Sequence, residues 1–283
     1  MKPARFGYVA PESLADAVGV LGSDADAKVI SGGQSLMPLL AMRLASPSVL
    51  VDLRRVPGLS DVEDLGDVVR LGARVTHREI ERSALLAERV PILPFAAGFI
   101  AHAQIRSRGT LGGSVAHADP SGEWPAVLLA LGAVMEVAGP GGVRSIAADD
   151  FFVGAFTSSM ADDEILTHVS VPTTRRAWAF QEAARKAGDY GLALVAVTGS
   201  VSGGVLSDPR VSVGAAVGAV TRLPEVERVL SGASLSAELA AEAERVAAES
   251  VDTIADIHGS GEYRRRLVGS LVRRAVLDLK NGA

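Results

Sequence analysis

Cysteine is absent from this chain of 283 residues. The absence excludes disulfide bonds, a thiol nucleophile and an iron–sulfur cluster held by cysteines of this chain. The five histidines are scattered along the sequence and show none of the short spacings at which two histidines share a metal ion. We therefore expect neither thiol chemistry nor a metal site in this chain.

Long basic runs and long apolar runs are missing as well. Lys and Arg number 28 against 33 Asp and Glu, which leaves a net charge of −5. Neutralising nucleic-acid phosphates needs clustered cations, and the sequence has none. The apolar stretches break well before the roughly 18 residues that a membrane helix needs, and the N-terminus lacks a signal-peptide core. These absences predict a soluble, cytoplasmic protein with no membrane span and no nucleic-acid partner.

Three signatures of nucleotide and acyl chemistry are also missing. The chain has no G-x-G-x-x-G for a Rossmann dinucleotide site and no G-x-x-x-x-G-K-[ST] for a P-loop. It has no G-x-S-x-G for a serine hydrolase either. We therefore assign no catalytic residue and expect any chemistry to belong to a bound cofactor.

The chain does contain a clear succession of strands and helices. Its hydrophobic fraction of 48% supplies a sizeable core, and its length fits two or three compact units. In the first fifty-odd residues, apolar spacing predicts helices at 11–22 and 36–45 and strands at 27–30 and 48–53. The sequence thus begins with a small β/α unit.

The rest of the chain divides at about residue 173. Thr76 and Glu79 form a capping box that opens a helix. Before the division, the predicted elements are a strand at 67–75, helices at 77–90 and 91–101, a helix starting at Asp119-Pro120, and a hairpin over 133–148. After it come three strands and then two or three helices, which predicts a separate α+β domain. Those elements are expected at 177–186, 191–202, 209–218, 224–230, 236–249 and 261–279.

Two glycine-rich segments lie next to predicted helices. The first glycine segment is residues 31–35 (SGGQS), and the second glycine segment is residues 110–114 (TLGGS). Glycine lets backbone N–H groups approach a ligand closely, and successive N–H groups in a turn bind anions. A Gly-Gly pair can also merely reverse the chain. Two such segments in adjacent units favour one shared ligand.

Long stretches of the sequence resemble a known family. These stretches are GGQSLMPLLAMRLASPSVLVDLRRVPGL, IAHAQIRSRGTLGGSVAHADPSGEWPAVLLAL, ARKAGDYGLA and, near the end, HGSGEYRRRLVGSLVRRA. They are similar to the FAD-binding medium subunit of molybdenum hydroxylases, the family of the carbon monoxide, nicotine and xanthine dehydrogenase flavoproteins. The resemblance implies an α+β fold with a two-lobed FAD-binding domain of the vanillyl-alcohol-oxidase/PCMH type. Its lobes would be residues 1–55 and 56–172, and residues 173–283 would form a smaller α+β domain with a three-stranded antiparallel sheet plus helices.

The resemblance also implies non-covalent FAD, with its pyrophosphate gripped by the two glycine segments. Lys186 and Tyr190 would lie near the isoalloxazine ring. Glu123 stands where the family usually has aspartate, and Gln181 where it commonly has lysine. The cofactor contacts carried over are Lys28, Val29, Ile30, Ser31, Gly32, Gly33, Gln34, Ser35, Ala101, Thr110, Leu111, Gly112, Gly113, Ser114, Glu123, Leu166, Lys186 and Tyr190.

A member of this family would be the electron-transfer subunit of a larger enzyme. The molybdenum cofactor would reside on a large partner, the [2Fe-2S] clusters on a small partner, and the assembly would be a dimer of heterotrimers. Two alternatives stay open at this point: a self-contained FAD oxidase or dehydrogenase, and a module without FAD. Five arginines near the C-terminus form either a solvated helix face or a docking surface for a partner (Arg264, Arg265, Arg266, Arg273, Arg274).

Overall fold

The first unit is a three-stranded parallel sheet flanked by helices. The computed structural model describes residues 2–174 and 177–281. Strand β3 lies between β1 and β2, with Tyr8 opposite Leu50 and Val29 opposite Val51. Helix α2 ends earlier than predicted, because Arg43 adopts left-handed backbone angles (φ 59°). The elements are β1 (Gly7–Val9), α1 (Leu14–Ser23), β2 (Lys28–Ile30), α2 (Leu36–Met42) and β3 (Val49–Asp52), followed by a 3-10 turn at Leu53–Arg55.

The second unit is a five-stranded antiparallel sheet covered by short helices, in the strand order β4-β5-β10-β6-β7. Its elements are β4 (Val62–Asp64), β5 (Val68–Gly72), α3 (His77–Arg82), α4 (Ala84–Arg89), α5 (Ile92–Ala97), α6 (Ala103–Arg106), α7 (Leu111–His117), α8 (Glu123–Leu131), β6 (Val134–Gly139), β7 (Gly142–Ala147), α9 (Ala148–Phe151), β8 (Phe152–Gly154), β9 (Thr157–Ser158) and β10 (Ile165–Pro172). The predicted hairpin is confirmed as β6 and β7.

Three helix boundaries in this unit differ from the prediction. The capping box of Thr76 and Glu79 is confirmed, but the helix that it opens breaks at Ser83. The Ser83 hydroxyl accepts from the Leu86 N–H and starts a new helix, α4. The predicted helix at 91–101 extends only over α5. Helix α8 begins at Glu123 and not at Asp119, because the Asp119 carboxylate accepts from the Ser121 N–H (2.9 Å) and holds a turn there.

The C-terminal domain contains the three long antiparallel strands that the resemblance implied. They are β11 (Ala177–Ala183), β12 (Ala193–Ser202) and β13 (Val205–Gly214), and two short strands, β14 (Thr221–Arg222) and β15 (Ala233–Ser234), add to β13. One face of this sheet packs against the helices that follow in the sequence. These helices are α10 (Pro224–Leu230), α11 (Ala237–Ser250) and α12 (Gly261–Asn281).

Helix α8 joins the two domains. Its residues from Trp124 to Leu131 are all buried, so it lies between the second unit and the other face of the C-terminal sheet. The sheet satisfies backbone carbonyls along this helix: Ser212 donates to the Ala126 oxygen (2.6 Å) and Thr198 to the Ala130 oxygen (2.5 Å). Buried carbonyls without partners are costly, and these bonds therefore fix the sheet on the helix.

Arg264 does not belong to an exposed basic face, so that part of the prediction is wrong. Its side chain is 2% exposed and donates to the carbonyl oxygens of Leu192 (2.6 Å) and Ala215 (2.9 Å). It also pairs with Asp256 at 2.6 Å, and this hydrogen bond lowers the pKa of the Asp256 carboxyl. Arg264 therefore anchors the start of α12 to the C-terminal sheet. No helix among the described residues is long and apolar enough to cross a membrane.

Replacing Arg264 should destabilise the C-terminal domain. We expect Arg264→Met to lower the free energy of unfolding by about 3 kcal/mol, because two buried carbonyls and one carboxylate lose their donor. Urea denaturation followed by circular dichroism measures the change. Arg265→Met, at the exposed neighbouring position, is the control and should unfold like the wild type. An Arg264→Met variant as stable as this control would contradict the anchoring role.

Candidate functional site

The two glycine segments touch each other. A Cβ on Gly32 would lie 2.8 Å from the Cα of Gly109 and closer still to the carbonyl oxygen of Arg108. Only glycine allows this approach of one backbone to the other. One residue further on, the Thr110 hydroxyl donates to the Ser31 hydroxyl at 3.0 Å. The two segments are therefore in direct contact.

The first glycine segment leaves its backbone donors free. Within the described residues, no hydrogen bond uses the N–H groups of residues 31–35. Gly33 has φ +72°, and the Gln34 side chain donates to the Gly32 carbonyl oxygen at 3.0 Å, which holds the turn. Successive free N–H groups in a turn suit an anion, so this segment fits an anionic ligand without any basic side chain.

The second glycine segment differs from the prediction, because it is the start of a helix and the N–H groups of residues 111–114 are occupied. Thr110 caps α7 and accepts from the Gly113 N–H (3.2 Å). The Leu111 N–H donates to the Val75 oxygen (2.9 Å), and the Gly112 N–H to the Ala73 oxygen (2.8 Å). The segment therefore contributes a supporting surface, with the Ser114 hydroxyl and the bare, exposed Gly113, but not a second set of free N–H groups.

A buried histidine, His77, holds the backbone at Gly109, which Gly32 contacts. The Trp124 indole donates to Nδ1 of the His77 ring at 3.0 Å. The backbone N–H of His77 donates to the Gly109 carbonyl oxygen at 3.0 Å. Burial, helped by the charge of Arg106, lowers the pKa of His77 to about 4, so the ring is neutral at physiological pH. Sequence reasoning missed this role, because a lone histidine at the start of a helix carries no pattern that reveals its partner.

Ala101 and Lys186 line one cleft of about 570 Å³, the first cleft, between the second unit and the C-terminal domain. Ala101 has φ +41°, and Arg106 donates to its carbonyl oxygen at 3.1 Å. Arg106 itself is held by two bonds to Glu81 (2.9 and 3.1 Å). The strained turn at Ala101 is thus fixed by a paired arginine, and it brings backbone to the edge of the cleft.

Two predicted contacts lie elsewhere. Tyr190 is 73% exposed and lines a second cleft, of about 370 Å³, together with Asp119 and Phe156. Leu166 is only 4% exposed and belongs to the core of the second unit, where it pairs with Val137. The structure therefore does not bring Leu166 to the surface of either cleft.

The first strand of the predicted site leads into the free donors. Lys28, Val29 and Ile30 form β2, whose end continues directly into the first glycine segment. Lys28 is exposed, and a Cβ on Gly33 would lie 3.3 Å from the Ile30 side chain. Parallel pairing of β2 with β3 thus fixes where the turn begins.

Two carboxyl groups lie half-buried near the clefts, and Glu182 lines the first one. Burial, with the negative charges of Glu182 and Asp119 nearby, raises the pKa of Glu123 to about 8. Burial also raises the pKa of Glu182 to about 7. Sequence reasoning named Glu123 and missed Glu182. The available signal was the alternation of β11, where Glu182 follows Trp178 and Phe180 on the core-facing side of the strand.

The residues present fit FAD. The fit rests on the run of free N–H groups in the first glycine segment, which suits a pyrophosphate. The chain also has two clefts of about 570 and 370 Å³ along the C-terminal domain. Residues 4–174 match the family described as "FAD binding domain in molybdopterin dehydrogenase", and residues 178–279 match "CO dehydrogenase flavoprotein C-terminal domain". The chain therefore belongs to the family of FAD-binding medium subunits of molybdenum hydroxylases, as the resemblance indicated.

Individual relatives agree over the full length. The chain is 50% identical over 278 residues to the nicotine 6-hydroxylase medium subunit of Paenarthrobacter nicotinovorans, covering 98% of each chain. It is 33% identical to the carbon monoxide dehydrogenase medium chain of Hydrogenophaga pseudoflava, covering 98% of this chain and 97% of that one. A crystal structure of quinoline 2-oxidoreductase from Pseudomonas putida 86 superposes with a TM-score of 0.96 at 40% identity, covering 100% and 99% of the chains. The predicted fold class is confirmed.

Adding one methyl group at Gly32 should abolish FAD retention. Its Cβ would meet backbone atoms of residues 108–109, which cannot rotate away, so the glycine segments must separate. We expect Gly32→Ala to weaken FAD binding by at least about 100-fold, as a loss of about 3 kcal/mol of binding free energy implies. Fluorescence titration of the cofactor-free protein with FAD measures the dissociation constant.

Gly19→Ala is the matched control for this experiment. Gly19 lies in α1, and a Cβ there would meet nothing within 4 Å. This variant should bind FAD like the wild type. Unchanged FAD affinity in Gly32→Ala would show that the two segments can separate without cost, and would contradict the close contact.

The pKa of Glu123 gives the cofactor-free protein a characteristic pH dependence. The pKa of Glu123 in the folded protein lies above the ordinary glutamate value, so between that value and about pH 8 the folded state holds a proton that the unfolded state has lost. Stability therefore falls as the pH rises through about 8. We expect the free energy of unfolding to fall by about 1 kcal/mol per pH unit between about pH 5 and pH 8, and to fall less steeply in Glu123→Gln. Thermal unfolding across this range measures it.

Glu88→Gln is the control, because Glu88 is exposed and its substitution should leave the slope unchanged. A Glu123→Gln profile as steep as that of the wild type would show that the carboxyl group of Glu123 is already ionised at neutral pH in the folded protein.

Proposed function

We propose that this chain receives electrons from [2Fe-2S] clusters on a small partner subunit and passes them through its FAD to an external acceptor. The observation that carries the proposal is the run of free N–H groups at residues 31–35, in a segment that Thr110 contacts through the Ser31 hydroxyl. FAD, when bound, supplies the electron-carrying chemistry. The protein supplies binding, orientation and shielding from water.

The residues would divide the cofactor between them. The N–H groups of the first glycine segment would hold the pyrophosphate, with hydroxyl donors from Ser31 and Ser114. Gly113, which is exposed and lacks a side chain, would leave room for the cofactor beside the Thr110–Ser31 bond. The backbone at Ala101 would meet the cofactor at the first cleft, and Tyr190 would cover one face of the flavin ring. The remaining proposed contacts are Glu123 and Lys186. The buried Leu166 would contribute only indirectly, by supporting strand β10, which packs against α7.

The division of labour between subunits follows from composition. A chain without cysteine cannot hold a cysteine-ligated cluster. Among the described residues, no group of three or more His, Asp or Glu side chains is placed to share a metal ion. Relatives of this chain are named as medium subunits or medium chains. A medium subunit implies a large and a small partner. We propose that the assembly is a dimer of such heterotrimers in the cytoplasm.

The substrate class of the assembly can be proposed from the relatives. Their names specify nicotine 6-hydroxylase and quinoline 2-oxidoreductase, and both names contain an N-heterocyclic aromatic compound. We propose that the large partner of this chain also hydroxylates an N-heterocycle. The proposed units within the chain are residues 1–55 and 56–172 for FAD and residues 173–283 for the C-terminal domain, whose sheet begins at Ala177.

Gentle affinity purification from the source organism tests the function. Mass spectrometry should find a large molybdenum-containing chain and a small cysteine-rich chain in equal amounts with this one. Anaerobic addition of a panel of N-heterocycles to that complex should bleach the flavin absorbance. The isolated flavin-loaded chain should not respond, because the proposal places the substrate site on the large partner.

A flavin-loaded chain that purifies alone and is bleached directly by a small organic substrate would overturn the proposal. That outcome would identify a self-contained FAD dehydrogenase. A complex that forms but responds only to substrates other than N-heterocycles would leave electron transfer intact and would reject the substrate class.

A further inference from the structure

Strand β11 directs one row of side chains towards the N-terminal domain. Trp178 packs on Phe95 and Phe180 on Phe99, each at 5.2 Å between ring centroids. Side chains two residues apart share a face of a strand, so Glu182 is the next member of this row. A glutamate thus occupies a position where the two preceding members are aromatic and pack between the domains.

The carboxyl group of Glu182 has no partner for one of its oxygens. Its Oε2 is buried away from solvent and makes no hydrogen bond in the structure. A buried, unsatisfied carboxyl oxygen costs about 1–3 kcal/mol. The neighbouring Gln181, on the opposite face of the strand, does find a partner, because its amide donates to the Asp278 carboxylate. Position 182 therefore carries a polar group that the protein alone leaves unsatisfied.

The cations near Glu182 are committed to other groups. Arg106 is bound by Glu81 through two hydrogen bonds. Lys186 is 74% exposed and pairs with Asp189 at 3.7 Å. The other titratable group that lines the first cleft, His102, packs against Gly188. Glu123 on α8 and Asp119 before it add only negative charge. No cation of the described residues is therefore paired with Glu182.

Glu182 lines the first cleft, as do two of the proposed FAD contacts. The cleft of about 570 Å³ is lined by Glu182 together with Ala101 and Lys186. A glutamic acid that is protonated can donate one hydrogen bond and accept others, which suits a ligand with both carbonyl and hydroxyl or N–H groups. The flavin ring and its ribityl chain present groups of both kinds.

We propose that Glu182 is a cofactor-binding residue, whose carboxyl group hydrogen-bonds a polar atom of FAD in the first cleft. The C-terminal domain then binds the cofactor through the end of its own sheet, on the same row that packs against the N-terminal domain. The burial that raises the pKa of Glu182 to about 7 keeps a proton available for this bond near neutral pH. The inference rests on the proposed FAD site.

Two variants of the full chain separate a binding role from a structural one. Glu182→Met keeps the size of the side chain and removes the unsatisfied oxygen, whereas Glu182→Gln keeps a donor and an acceptor. For Glu182→Met we expect FAD affinity to fall by at least about tenfold while the cofactor-free protein melts at a higher temperature. For Glu182→Gln we expect an FAD affinity within about threefold of the wild type.

Fluorescence titration with FAD and thermal unfolding without FAD provide the two readouts. Gln181→Ala, on the opposite face, is the control and should bind FAD normally. Wild-type affinity in Glu182→Met would overturn the role of Glu182, and so would a loss of affinity together with a lower melting temperature. Failure of the wild-type chain to bind FAD would instead reject the FAD site itself, so the two failures are distinguishable.

Discussion

The backbone contact between Gly32 and residues 108–109 connects the small parallel sheet to the rest of the FAD-binding domain. Two polypeptide backbones can approach this closely only where no Cβ intervenes. The same contact separates the tasks of the glycine segments. The first keeps its N–H groups free, while the second uses its own N–H groups to attach α7 to residues 73–75. An acidic chain can thus bind a pyrophosphate with backbone donors and without a basic patch.

Helix α8 connects this site to the C-terminal domain. Its first residue, Glu123, lies beside the clefts, while its remaining length is covered by both domains. Thr198 and Ser212 of the C-terminal sheet donate to its carbonyl oxygens, and the aromatic row of β11 packs on α5 and the turn that follows it. The C-terminal domain is therefore packed against the FAD-binding domain, and its loop brings Lys186 to the first cleft and Tyr190 to the second.

Much of this could be predicted from the sequence, and the failures have physical causes. Period-two and helical spacing predicted most strands and helices, and the glycine segments pointed to a shared site. The occupied N–H groups of α7 could not be foreseen, because their acceptors, the Ala73 and Val75 carbonyls, are distant in sequence. Likewise Arg264 looked like part of an exposed basic face, since its carbonyl partners, Leu192 and Ala215, adjoin the sheet strands and are distant in sequence. Glu182 was missed although its alternation with Trp178 and Phe180 was visible.

Hydrogen–deuterium exchange at single-residue resolution tests the central claim most directly. The account predicts that the N–H groups of residues 31–35 exchange rapidly in the cofactor-free protein and become strongly protected when FAD binds. The N–H groups of Leu111 and Gly112 should be protected in both states, because Val75 and Ala73 accept from them. If residues 31–35 are already protected without FAD, or remain unprotected with it, the first glycine segment is not the pyrophosphate site.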